Sequence, residues 1–198
     1  MILLFLGIII YIIAVQDILK TTLSMQGGGW LTNNFSKMLW KICFYLSGEN
    51  GASKFLGKSG YIILTGIIIF WVFLLWTSLS LLIYSDPLSI VSSSDKTPVL
   101  GFEKLYFAGY ILSTLGNGEY IPGSDFWRLI TNIFSFTGLV LLTMSVTYFV
   151  PLLQAVIEQQ KLAVQISGYG ETPQQMLLNT YDGQYYQGLT ANASELTL

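Results

Sequence analysis

The chain has 198 residues, of which 53% are hydrophobic and only 10% charged, with a mean hydropathy of +0.59. Soluble domains usually carry about 25% charged residues, so this composition belongs to a chain that buries its apolar surface in lipid. A net charge of −2 excludes the basic field that nucleic acid requires. The absence of histidine excludes imidazole bases, histidine-assisted triads and histidine-held metals, and the lone Cys43 can form neither an intrachain disulfide nor a thiolate cluster. The expectation is an all-α membrane protein that is not an enzyme.

Residues 1–19 form the first apolar stretch, free of charge until Asp17. It is short for a span, which needs about 20 residues, and a cleaved signal peptide is the rival reading. The stretch lacks a basic n-region and a small-residue cleavage site, which favours a retained N-terminal transmembrane helix. Residues 20–59 carry Lys20, Lys37, Lys41, Lys54 and Lys58, more than half of the nine basic residues, against the single acid Glu49. That bias predicts a cytoplasmic loop. Within it Trp30, Leu31, Phe35, Met38, Leu39, Ile42 and Leu46 recur at helical spacing, with Lys37 and Lys41 on another face. The pattern fits an amphipathic helix in the membrane interface or one packed on neighbouring protein. The run Gln26-Gly27-Gly28-Gly29 before it is a turn.

Residues 60–84 are apolar almost throughout, with Tyr61 and Tyr84 at the ends where aromatic belts sit. Residues 85–126 hold Asp86, Asp95, Glu103, Glu119 and Asp125 against Lys96 and Lys104, as expected of an external loop. Within that loop, 102–113 is too short to span and too apolar for an ordinary exposed loop, which fits a re-entrant helix. Gly116 and Gly118 follow it, and both accept positive φ, so that successive carbonyls can turn the same way and replace the water around a cation. Residues 127–160 form the third span, with its apolar run ending near 153 and interrupted by Thr131, Asn132, Ser135, Thr137, Thr143, Ser145 and Thr147. Such residues face other helices or water. The tail 161–198 is polar and too short for a regulatory domain of about 100 residues. Within it Thr172-Pro173 reads as a helix start with proline in the first turn. The lysine asymmetry puts the N-terminus outside and the C-terminus in the cytoplasm.

The segment Thr114-Leu115-Gly116-Asn117-Gly118-Glu119 resembles the T-V/I-G-Y-G-D filter of the potassium channel superfamily. Pro122, Arg128 and Gly138 follow at the spacing many family members show. The resemblance implies an outer helix, pore helix, filter and inner helix over roughly 61–158, preceded by one extra N-terminal span. It implies that the carbonyls of Thr114, Leu115, Gly116 and Asn117, with the Thr114 hydroxyl, coordinate dehydrated K+. Tyr106 and Phe107 would form an aromatic cuff behind the filter, Gly138 an inner-helix hinge, and Leu139, Leu142 and Val146 the wall of a cavity. One filter strand per chain implies a homotetramer, with membrane lipid as the other partner and no cofactor beyond the permeant ion.

Two positions depart from the family pattern. Asn117 replaces the usual tyrosine, and Glu119 the usual aspartate. Tyr110 stands where some members place a glutamate that bonds this acid, so it either donates to Glu119 or packs as a ring. Near Val150, Pro151 and Gln154 the inner helix either forms a cytoplasmic constriction or is only kinked by the proline. The alternatives to a potassium channel are a non-selective monovalent cation channel, suggested by Asn117, and a non-conducting membrane scaffold or sensor on the same fold.

Overall fold

The computed structural model describes residues 1–23, 28–48, 59–170 and 172–181. Gln26, Gly27, Glu49, Lys54, Lys58 and the tail after 181 lie outside the described residues. Among the described residues, three helices are long and apolar enough to cross a membrane: α1 (Ile2–Leu23), α3 (Ser59–Tyr84) and α5 (Asp125–Tyr169). Between them lie the amphipathic α2 (Trp30–Leu46), the strand β1 (Ile90–Ser92), the short helix α4 (Phe102–Leu112) and the strand β2 (Tyr120–Pro122). A final helix, α6 (Pro173–Thr180), follows α5.

The chain forms two compact units, residues 1–147 and 148–198. In the first, α1 and α3 pack antiparallel: Gly7 lies against Leu82 and Ser78, while Asp17 lies against Trp71. A Cβ at Gly7 would stand 2.8 Å from Leu82 Cγ, so glycine is what lets the two backbones approach. The Ser78 hydroxyl donates to the Gly7 carbonyl at 2.8 Å across that contact. Two apolar cores follow. One gathers Leu79, Leu82, Ile83, Phe107, Trp127 and Phe134 around α4; the other joins Ala14, Ile18, Ile67, Trp71, Leu75 and Leu141.

The sequence reading of α2 as a helix holds, and the structure packs one of its faces on protein. Phe35 stacks on Phe70 with centroids 4.2 Å apart, and Leu39 fills the space over Gly66. The opposite face, with Trp30, Lys37, Lys41 and Tyr45, is exposed. The start of α2 is capped from another helix. Its N-cap is Gly29, which has no side chain to offer, and the Asp17 carboxylate accepts instead from the amides of Leu31 (2.9 Å) and Thr32 (3.1 Å) and from the Thr32 hydroxyl. Trp71 of α3 donates to the same group, to Asp17 Oδ2 at 3.4 Å and Thr32 Oγ1 at 3.0 Å. Asp17 thus does for α2 what an N-cap side chain does while tying three helices together.

Two boundaries differ from the sequence reading. The first helix runs to Leu23 rather than 19, so Lys20 sits in its last turn, where a cation favours the helix dipole. The third continues to Tyr169, beyond 153 and beyond 160. Pro151 removes one backbone bond, but Leu, Gln, Ala, Glu and Lys after it are good helix formers, and the helix goes on. In the second unit, α6 starts as expected: Thr172 Oγ1 accepts from the Gln175 amide at 3.3 Å, with proline in the first turn.

Candidate functional site

The pore-helix segment ends in a Schellman motif. Thr114 N–H reaches the Ile111 carbonyl at 3.1 Å, and Leu115 N–H reaches back to Tyr110 at 3.0 Å. This motif needs a left-handed residue after the last helical turn, usually glycine, and here that residue is Thr114, with φ +58°. A β-branched side chain in this region stores strain, which collects at functional sites. Gly116 (φ +60°) and Gly118 (φ +77°) follow, while Leu115 and Asn117 keep negative φ. The sign of φ therefore alternates along 114–118, the backbone arrangement that turns successive carbonyls to one side. Residues 113–119 are all exposed in the single chain, and a Cβ on Gly116 or Gly118 would meet nothing within 4 Å. Within the single chain the glycines answer to conformation and not to lack of space.

The loop leaves through a ribbon that sequence reasoning did not find. β1 and β2 pair antiparallel, with Val91 opposite Ile121, and Ser93 N–H bonds the Glu119 carbonyl at 2.8 Å. Three residues per strand are too few to leave a periodic signal.

Behind the loop, the Asn117 side-chain amide donates to the Tyr106 hydroxyl. The Tyr106 ring stands edge-on to Tyr110 (5.4 Å) and Tyr120 (6.3 Å). Tyr110 does not donate to Glu119, and it does more than pack as a ring. Its hydroxyl reaches the Tyr120 carbonyl at 2.7 Å, because β2 brings that backbone over it. Burial of this phenol raises its pKa well above the usual value. Phe107 is fully buried in the core with Leu79 and Trp127, and its ring stands edge-on to Tyr110 at 5.0 Å.

Lys104, a charge the sequence reading assigned to the external loop, lies inside the protein. Its Nζ donates to the carbonyls of Ile83 (3.2 Å), Asp86 (2.7 Å) and Pro87 (3.2 Å) and to Ser89 Oγ (3.0 Å). These acceptors are the end of α3 and the turn after it, so the ammonium ties the start of α4 to the outer helix. Burial pushes the Lys104 pKa down, with the Asp86 carboxylate opposing. Asp86 Oδ2 also takes the Trp127 indole N–H at 2.8 Å, which joins the start of α5 to the same turn. The available signal was a lysine near the start of a largely apolar, non-spanning stretch.

On α5, a Cβ at Gly138 would lie 2.0 Å from the Leu112 carbonyl oxygen. Gly138 is thus the point where α5 meets the end of α4. Leu139, Leu142 and Val146 share a face that the single chain leaves 52%, 67% and 58% exposed. In the second unit Val150, Pro151 and Gln154 are exposed on the continuing helix.

Two spanning helices flank a re-entrant helix and a loop of alternating backbone, which defines a pore-loop membrane protein. A family model described as an ion channel matches residues 62–155, and the chain has a potassium-channel-like pore-domain fold over that segment plus one N-terminal span. The chain is also 32% identical, over 96% of its length, to the uncharacterized membrane protein YdjJ of Bacillus subtilis (strain 168), and it spans 57% of that relative. No solved structure gives a significant match.

Proposed function

We propose that the protein is the pore-forming subunit of a homotetrameric, potassium-channel-like cation channel that conducts K+ passively and is not an enzyme. The observation that carries this reading is the alternation of φ over 114–118, fixed at one end by the Schellman motif and at the other by the β1–β2 ribbon. Carbonyls of Thr114, Leu115, Gly116 and Asn117 then serve as the ion ligands, with K+ as the cargo and no cofactor. A closed ring of such strands needs copies around an axis. The uncovered apolar face of Leu139, Leu142 and Val146 supports that arrangement, since large exposed apolar surfaces mark contact or cavity faces. In the bilayer the N-terminus is outside, the C-terminus is cytoplasmic, and lipid covers the outer helices.

A second reading, a non-selective monovalent cation channel, is favoured by the Asn117–Tyr106 bond, where an amide takes the place of the family's tyrosine ring. Purified protein in planar bilayers, with potassium on one side and sodium on the other, separates the two. A reversal potential near the potassium equilibrium value supports the first, one near zero supports the second, and no current under any gradient refutes both. Cross-linking in detergent that stops at a species other than four chains refutes the tetramer.

A further inference from the structure

The N-terminal helix α1 lies outside the segment that matches the ion-channel family, and its contacts give it a role of its own. One side of α1 is fixed to the outer helix α3. Ser78 holds the Gly7 carbonyl, and Asp17 takes the Trp71 indole N–H. An adjoining strip of the same buried face meets the inner helix α5. The Tyr11 ring lies 4.6 Å from Phe134, Ala14 and Ile18 share a core with Leu141, and Thr22 Oγ1 stands 3.7 Å from Met144 Sδ. At the centre, Tyr11 Oη and Thr137 Oγ1 are 2.8 Å apart. Thr137 Oγ1 donates to the Ile133 carbonyl at 2.7 Å, so the proton in the Tyr11–Thr137 bond is the tyrosine's. Phe134, Thr137, Leu141 and Met144 follow the three-four spacing of one helix stripe. Leu139, Leu142 and Val146 stand on the far side of the same helix.

We propose that Tyr11 is a positioning residue for the inner pore helix: α1, anchored on the outer helix, holds α5 from behind and favours the open pore. The proposal rests on the reading that Leu139, Leu142 and Val146 face the conduction pathway. A bond on the opposite stripe then draws α5 away from the axis, and its loss lets the helix lean inward. No part of this contact touches the filter, so it acts on opening and leaves selectivity alone.

Single-channel recording of the full chain in planar bilayers tests it. Tyr11→Phe keeps the ring on Phe134 and removes only the hydroxyl. The open-to-closed ratio is expected to fall about three-fold for each bond lost, the typical worth of a hydrogen bond between helices in a membrane. Unitary conductance and the potassium-to-sodium permeability ratio stay at parent values, whereas a general loss of folding would lower the number of channels and leave the open probability of each unchanged. Thr137→Val is expected to produce a similar fall, and adding Tyr11→Phe to it no further one, while Thr137→Ser retains the parent ratio. A conducting parent whose Tyr11→Phe variant opens as often or more often overturns this proposal alone, as do fully additive losses in the double variant. A parent that never conducts overturns the conduction reading and this proposal with it.

Discussion

Gly116→Ala isolates the backbone requirement of the loop. Gly116 sits at φ +60°, and a Cβ built there meets nothing within 4 Å, so within the chain the substitution creates no clash and removes no contact. What remains is the intrinsic cost of the left-handed conformation for an L-residue, roughly 1–2 kcal/mol. That is a factor of about five to thirty against the observed loop conformation in each chain. If four strands must hold the conformation together, the lower figure compounds to several hundred-fold on the conductive state, by the same arithmetic. The α-helices and the Schellman motif before the loop are untouched, so thermal stability in detergent and oligomer size should match the parent while potassium flux into loaded vesicles collapses. Incorporating D-alanine at 116 by semisynthesis, which prefers positive φ, should restore flux. A Gly116→Ala protein that conducts like the parent refutes the assignment of these carbonyls to the ion path.

The other glycine tested, Gly138→Ala, should fail differently: its Cβ would lie 2.0 Å from the Leu112 oxygen, so α4 and α5 must part at a cost of about 1–3 kcal/mol. A lowered melting temperature is expected, and an unchanged one would leave Gly138 to a role other than close packing. Asp17→Ala strands the amides of Leu31 and Thr32 and takes the acceptor from the Thr32 hydroxyl. With about 1–3 kcal/mol per unpaired buried group and about 1 kcal/mol for a lost cap, it should destabilise by at least ~2 kcal/mol in chemical denaturation, with Asp17→Asn intermediate. For orientation, a thiol at Ser93, which is exposed, should react with an impermeant reagent from outside, and one at Ser53 only from the cytoplasmic side; labelling of both from the same side refutes the topology.

What was legible in the sequence depended on how local the cause was. The outer helix, the amphipathic α2 and the left-handed Gly116 and Gly118 follow from composition, period and residue type. Thr114 escaped because a β-branched residue gives no hint of positive φ; the need for it comes from closing α4. The length of α5 escaped because the apolar run ends near 153, while the strong helix formers after it carry the helix on through polar sequence. Asp17 and Lys104 escaped for a different reason. A charge in a sequence reads as solvated, and only the fold brings Leu31, Thr32 and Trp71 to the first or the end of α3 to the second. The positive φ at Gly116 and Gly118 was visible, but the partner of Asn117 depended on where Tyr106 points.

If the proposed ion pathway runs along 114–117, the Schellman ending of α4 bears on what happens when that pathway runs dry. Gly109, Tyr110 and Ile111 have already spent their carbonyls on the amides of Ser113, Leu115 and Thr114, and the Leu112 carbonyl is covered by Gly138. The helix terminus is finished by its own chain and asks nothing of a passing cation. Disorder on ion depletion then has a starting point: it begins at the Thr114 carbonyl, the first of the proposed ligands, and spreads outward toward the β2 ribbon, leaving the short helix standing beneath a loosened rim.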